Sequence, residues 1–150
     1  MVESLEGGTK GGIMDTSETY IKMCDCPEIQ EQRVKVEYIA KQMKQGDYYW
    51  TKCFQKVELA DSQGATYTGQ EIFGNIIWLP TQSQLQAMVK PEHVLSETVW
   101  YVCRLHEWIL EQVRASYPPH IFTSMEQLWL AFVRKELHGK VWNGEKWAQQ

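Results

Sequence analysis

The segment from residue 122 to 147 constrains the fold more than any other part of this chain, because signals for the start, the buried face and the end of a helix agree there. Thr123 or Ser124 can act as the N-cap, and each is followed three positions later by a Glu or Gln that can complete a capping box. Apolar residues at helical spacing, with Trp129 at their centre, fill over half of the helix. Gly139 stands where a left-handed C-cap is needed. We therefore expect a central helix that other elements cover, with Trp129 buried.

A short hairpin is predicted directly after this helix. Asn143-Gly144 separates Val141-Trp142 from residues 145–147, and Asn-Gly is typical of a two-residue hairpin loop. An isolated hairpin of this size is marginal in water, so we expect it to fold back over a helix.

The composition predicts one globular domain in the cytoplasm. The chain has 150 residues, of which 43% are hydrophobic and 23% charged. Its net charge of −4 disfavours binding that depends on neutralising phosphates. No apolar run approaches the roughly 18 residues of a membrane span, and the chain opens with no signal peptide. The four cysteines lack paired spacing, so we expect reduced thiols, with no metal and no cofactor.

The amino-terminal third is expected to be a tail followed by helices. Residues 1–13 contain four glycines and predict a flexible tail, which leaves 14–150 as a single α+β domain. Asp15 with an acidic residue three positions later predicts the first helix start, and Pro27 either ends that helix or opens the next. Residues 28–45 favour a helix ended by Gly46.

The middle third has the composition of a small antiparallel sheet. Strand-forming residues cluster at Tyr48–Thr51, Lys56–Leu59, 65–73 and Ile76–Leu79, with turn residues between them. We expect a meander of these strands, packed by the N- and C-terminal helices, in an α+β fold that ends in a short C-terminal hairpin.

Two more helices are predicted before the central one. Thr81 and Gln84 form a capping box, and a longer helix follows from about Ser96 to Ser116. Helical projection places Trp100 nearly opposite the main apolar stripe of this longer helix, and Trp108 to one side of it. We expect this stripe to be the inner face, with these members: Leu95, Val99, Val102, Cys103, His106, Leu110 and Val113.

Three blocks of the chain resemble a family of small uncharacterised proteins that are encoded in phages and prophages of Gram-positive bacteria. The blocks are YIKMCDCPEIQEQ (20–32), IIWLPTQSQLQAMV (76–89) and SMEQLWLAFVRKELHGKVWNGEKW (124–147). The resemblance extends over roughly residues 14 to 147 and implies a virus-derived protein in the bacterial cytoplasm. It implies no catalytic residue and no activity.

No catalytic constellation is evident in the sequence. His106-Glu107 begins like a zinc-peptidase HExxH motif, but Leu110 replaces the second histidine, so we interpret His106 as a histidine at the edge of the core. The thiols of Cys24 and Cys26 are expected to pack in the interior. Glu136 falls in the apolar arc of the central helix, and we expect it to pair with a nearby cation.

The surplus of aromatic residues predicts a binding function. Seven Trp and seven Tyr exceed what a core of this size needs, and both residue types are enriched at binding hot spots. We expect a non-enzymatic binding protein that occludes a host or phage protein, associates with itself, or sequesters a small ligand. The expected binding residues are Trp100, Trp108, Trp142, Trp147, Tyr48, Tyr49 and Trp50.

Two alternatives remain open. One is a nucleic-acid-associated accessory protein that uses the basic segment 33–44 with Tyr48, Tyr49 and Trp50 as stacking groups. The other is an enzyme with scattered catalytic residues, involving His106 or Glu136.

Overall fold

The protein has an α+β fold, as its sequence predicts. The structure is a computed structural model that describes residues 14–35, 46–52, 54–59, 76–92, 94–115 and 119–149. The described helices are α1 (Glu18–Cys24), α2 (Pro27–Lys35), α3 (Gln82–Met88), α4 (Glu97–Arg114) and α5 (Met125–His138), with a 3-10 turn at Pro119–Ile121. The described strands are β1 (Tyr48–Thr51), β2 (Lys56–Leu59), β3 (Ile76–Leu79), β4 (Lys140–Trp142) and β5 (Trp147–Gln149).

The helix ends follow local capping chemistry, with one correction. Ser124 caps α5 and Gly139 ends it with a φ of 63°, while Thr81 forms the complete capping box of α3, all as predicted. Pro27 opens α2 at its first position. The predicted start of α1 at Asp15 is wrong, because the hydroxyl of Ser17 accepts from the N–H of Tyr20 and is the actual N-cap.

The first sheet is antiparallel but is not a meander. Strand β1 lies in the middle, so that Trp50 stands opposite Val57 of β2 on one side and Ile77 of β3 on the other. The predicted meander is therefore wrong, because β3 returns to pair with β1 rather than continuing outward from β2. The strand predicted at 65–73, the tail at 1–13 and the helical segment beyond residue 35 lie outside the described residues.

A glutamine side chain pairs with the backbone of β3. The side-chain oxygen of Gln30 on α2 accepts from the N–H of Trp78 at 2.9 Å, and its nitrogen donates to the carbonyl of Trp78 at 3.0 Å. The same nitrogen donates to the carbonyl of Cys24 at 2.9 Å. Backbone groups in a sheet need partners, and here the amide group of Gln30 supplies them where a further strand would otherwise pair.

Helix α5 is the centre of the core, as predicted. Trp129 is 2% exposed and meets Phe132 edge to face at 5.5 Å between ring centroids. Two apolar residues of the same helix, Met125 and Leu137, are exposed. The buried hydrophobic residues that surround α5 include members of α1, α2, β3, α3, α4 and β4: Tyr20, Met23, Cys24, Ile29, Ile77, Leu79, Leu85, Leu105, Trp108 and Trp142.

A buried polar network joins the starts of α1 and α5. The side-chain nitrogen of Gln127, fully buried, donates to the Asp15 carboxylate at 2.8 Å, to the Ser17 hydroxyl at 3.2 Å and to the Thr123 hydroxyl at 3.1 Å. The Ser124 hydroxyl also donates to Asp15. Every polar atom of the buried amide is thereby paired, since its oxygen accepts from the N–H of Thr123.

The C-terminal hairpin docks on the helices, but its loop is longer than predicted. Trp142 pairs with Trp147, which leaves a four-residue loop in place of the expected two-residue loop. The reason is local, because the side-chain oxygen of Asn143 accepts from the N–H groups of Glu145 and Lys146, both at 2.9 Å, and holds a wider turn. The indole N–H of Trp147 then donates to the carbonyl of Met23 at 2.9 Å and fixes the hairpin against α1.

Candidate partner-binding face

Helix α4 packs on the core with a different face from the one its aliphatic stripe predicts. Leu105, Trp108 and Gln112 are its buried residues, and Trp108 meets Phe132 of α5 edge to face at 5.8 Å. The ring of Tyr101 also meets the ring of Trp129 on α5 edge to face, with 5.7 Å between the ring centroids. An aromatic ring buries more apolar surface for each residue than a Val or Leu side chain. The face of α4 that carries Tyr101 and Trp108 is therefore the one that packs against α5.

The expected inner stripe of α4 is consequently exposed, and that prediction is wrong. Val99 is 60% exposed, Val102 64% and Val113 57%, while Leu95 is fully exposed. His106 lies exposed among them, so the interpretation of this residue as a core-edge histidine is also wrong. We call this surface the outer face of α4 and define it by Leu95, Val99, Val102, His106, Leu110 and Val113.

The outer face is separated from both the buried face and the charged face of the same helix. At about 100° per residue, it lies roughly a third of a turn from the Tyr101–Trp108 side. The remaining third of the helix surface carries charged residues. Within it, Arg104 forms one ion pair with Glu107 of the same helix and another with Glu136 of α5, both at 2.9 Å. This pairing confirms the prediction that Glu136 finds a nearby cation. Single exposed apolar residues are ordinary, whereas an uncharged row along a whole helix is typical of a binding surface.

The aromatic residues predicted to bind partners lie mostly inside the protein. Trp108, Trp142 and Tyr49 are buried, whereas Trp100 and Trp147 are partly buried. Trp142 and Trp147 pack edge to face at 5.1 Å, and Trp100 packs on Tyr101 at 5.5 Å. Within the described residues, the exposed apolar surface of α4 is therefore aliphatic rather than aromatic. Sequence reasoning missed it because the outer face has the periodicity of a buried one.

The three aromatic residues of β1 do not form one stacking surface. Side chains alternate along a strand, so Tyr49 faces away from Tyr48 and Trp50 and packs in a small cluster with Trp78. Trp50 lines a shallow depression of about 760 Å³, where Lys22 pairs with Glu18 and Lys52 lies 3.8 Å from Asp25. The charges there are mixed. The side chains of the basic segment 33–44 lie outside the described residues.

A small pocket brings two of the predicted binding residues together. Trp108 and Trp142 line a cavity of about 240 Å³ between α4, α5 and the C-terminal hairpin. Lys135 and Lys140 contribute cationic groups to its lining. The indole N–H of Trp108 has no acceptor in the part of the chain that the structure describes. Apolar walls with a few polar groups are typical of sites for small molecules.

The described cysteines are not arranged for thiolate or metal chemistry. Cys24 and Cys26 are buried, and burial raises the pKa of both thiols above the ordinary value. Cys103 is an exposed free thiol on α4. No group of three or more residues that could hold a metal ion occurs among the described residues, and Cys53 lies outside them.

Comparisons with known proteins leave the fold and these sites as the basis for assigning a function. No family model, no curated protein and no solved structure matches the chain. Among the described helices, none is long and apolar enough to cross a membrane.

Proposed function

We propose that this chain is a non-enzymatic binding protein of phage origin, and that it acts in the bacterial cytoplasm by protein–protein contact at the outer face of α4. The exposed row of Val99, Val102, Leu110 and Val113 carries the proposal. The resemblance of the three sequence blocks to phage and prophage proteins supports the origin.

The chemistry of the outer face favours a protein partner over nucleic acid or a polar ligand. Its side chains are aliphatic apart from His106, and the charged residues of α4 lie on another side. Phosphate recognition needs cationic groups, which this face lacks. A second apolar surface gains free energy by covering it, at about 25 cal/mol for each Å² removed from water.

Site-specific photo-crosslinking in bacterial cells tests this proposal. A benzophenone amino acid replaces Val102 on the outer face and, in a matched control, replaces the exposed Glu111 on the charged face. We expect protein adducts from position 102 and few from position 111. The absence of adducts at 102, or equal adducts at both positions, would contradict the assignment of this face.

The pocket supports a second candidate function, sequestration of a small molecule. The apolar walls of the pocket, together with Lys140 in its lining, fit a ligand with a flat apolar body and an anionic group. Naphthalene-2-sulfonate is a suitable probe, and its binding is measured by calorimetry. We expect Lys140→Ala to weaken binding about tenfold, while Lys146→Ala in the exposed hairpin loop leaves it unchanged. Absence of binding at millimolar probe would exclude this candidate.

A further inference from the structure

The side-chain amide of Gln112 is buried without a partner. Gln112 lies on α4 one turn beyond Trp108 and is only 4% exposed. Among the residues that the structure describes, no hydrogen bond joins its side-chain oxygen or nitrogen to another group. A buried amide ordinarily has both its donor and its acceptor paired, as the amide of Gln127 does at the start of α5. The amide of Gln112 therefore lacks the partner that its burial requires.

The cavity between α4, α5 and the C-terminal hairpin is the place where such a partner can bind. Gln112 lines this cavity of about 240 Å³, together with the aromatic side chains of Trp108, Phe122 and Trp142. The indole nitrogen of Trp108 is sealed from solvent, so it cannot bond a ligand there. Gln112 thus shares one cavity with three aromatic rings, and its amide is the group that a ligand can satisfy.

The charged side chains in the lining of this cavity are cationic. Lys135 comes from α5 and Lys140 from β4, and no Asp or Glu of the described chain lines the cavity. Lys140 forms no ion pair with a carboxylate among the described residues, whereas Lys22 pairs with Glu18 elsewhere on the surface. A cation without a carboxylate partner, beside apolar walls, favours an anionic group on the ligand.

We propose that this cavity binds a purine nucleoside monophosphate, with the base among the aromatic rings, the edge of the base on the amide of Gln112 and the phosphate at Lys140. This inference rests on the second candidate function, sequestration of a small molecule, and names the class of ligand.

A purine nucleotide combines the three properties that the cavity selects. Its base is planar and stacks on aromatic side chains. The edge of adenine places a donor beside an acceptor, which matches the donor and acceptor of a glutamine amide, and the two form a pair of hydrogen bonds. Its phosphate supplies the anion. The cavity is smaller than the range of about 300–1,000 Å³ that is usual for ligand pockets, which favours a mononucleotide over a longer oligonucleotide.

Calorimetry with adenosine monophosphate on the purified full chain is the first test. Gln112→Leu keeps the approximate size of the side chain but removes both hydrogen-bonding groups. We expect this variant to bind adenosine monophosphate about tenfold more weakly than the parent protein. Its affinity for naphthalene-2-sulfonate should stay unchanged, because the ring system of that probe has no donor or acceptor at its edge. Equal affinity of the parent and Gln112→Leu for adenosine monophosphate would overturn the proposal.

Urea denaturation without ligand separates this role of Gln112 from a structural one. An unpaired buried amide costs free energy, so Gln112→Leu should be at least as stable as the parent protein. A clear loss of stability in this variant would show that the amide is paired within the protein, and would overturn the proposal.

The failure of the ligand class and the failure of the candidate function are distinguishable. If naphthalene-2-sulfonate binds and adenosine monophosphate does not bind at about 1 mM, the purine inference fails, and sequestration stands with a different ligand. If neither compound binds, both fail.

Discussion

The guanidinium group of Arg134 lies 3.1 Å from the carboxylate of Glu28, and joins α5 to α2 across the core. Arg134 is only 2% exposed, and the ring of Trp147 covers its guanidinium at 4.9 Å from the ring centroid. One buried cation therefore links α2 near the start of the chain to α5 and to the C-terminal hairpin. Its charge is expensive to bury without a partner, which makes the fold sensitive to the loss of Glu28.

Replacement of Glu28 by Gln should destabilise the protein by about 2–4 kcal/mol, somewhat below the cost of breaking a fully buried pair, because Glu28 is partly in solvent. Urea denaturation measures the change. Glu31→Gln, at an exposed position of the same helix, is the matched control and should stay within about 0.5 kcal/mol of the parent. Equal effects of the two substitutions would show that Arg134 does not depend on Glu28.

The free energy of unfolding should fall as the pH is lowered from about 5 to about 3. The N–H of Glu28 itself lowers the pKa of the Glu28 carboxyl below its ordinary value of 4.5, burial opposes this, and Arg134 adds to the lowering. Burial raises the pKa of Asp15, but the bonds from Ser124, Ser17 and Gln127 together outweigh it and leave that pKa below 3.8.

The direction of this change in unfolding free energy follows from proton linkage. A carboxyl whose pKa is lower in the folded state binds fewer protons there, so its stabilisation is complete above the unfolded pKa and is lost as the pH falls through the folded pKa. In Asp15→Asn, the loss of stability between pH 5 and pH 3 should be smaller than in the parent protein. Denaturation at a series of pH values checks this, and an unchanged slope would count against the Asp15 network.

Replacement of Gln30 by Ala should cost about 2–3 kcal/mol, because the backbone groups of Trp78 lose both partners in a buried setting. Gln32→Ala on the same helix is the matched control and should change stability little. Hydrogen exchange gives a second measure, since the amide of Trp78 should exchange much faster in the Gln30 variant only. Unchanged protection of that amide would contradict the proposed role of Gln30.

Replacement of Trp129 by Ala should cost about 3–5 kcal/mol, the range found when a large aromatic side chain is removed from a core. Leu137→Ala, at an exposed position of the same helix, should cost less than about 1 kcal/mol. Chemical denaturation compares the two variants. A loss below about 1 kcal/mol for Trp129→Ala would mean that α5 is not the centre of the core.

Local chemistry made much of the architecture predictable. The caps at Thr81, Ser124 and Gly139 depend on hydrogen bonds and dihedral angles within a few residues, so sequence alone identifies them. The strands β1, β2 and β3 were predictable because their residues prefer extended backbone. The pairing of β3 with β1 was not predictable in the same way. It depends on the path of the chain between β2 and β3, and the strand propensities of the residues do not determine that path.

The sequence by itself determined that α4 has an aliphatic stripe and that Trp108 lies to one side of it. Only the tertiary structure decided which of the two faces is buried, because both Val102 and Trp108 gain free energy on leaving water and periodicity measures only that gain. The rings of Trp129 and Phe132 on α5 settle the choice, since they offer edge-to-face contacts to Trp108 and Tyr101. The outer face of α4 is the surface that this choice left exposed.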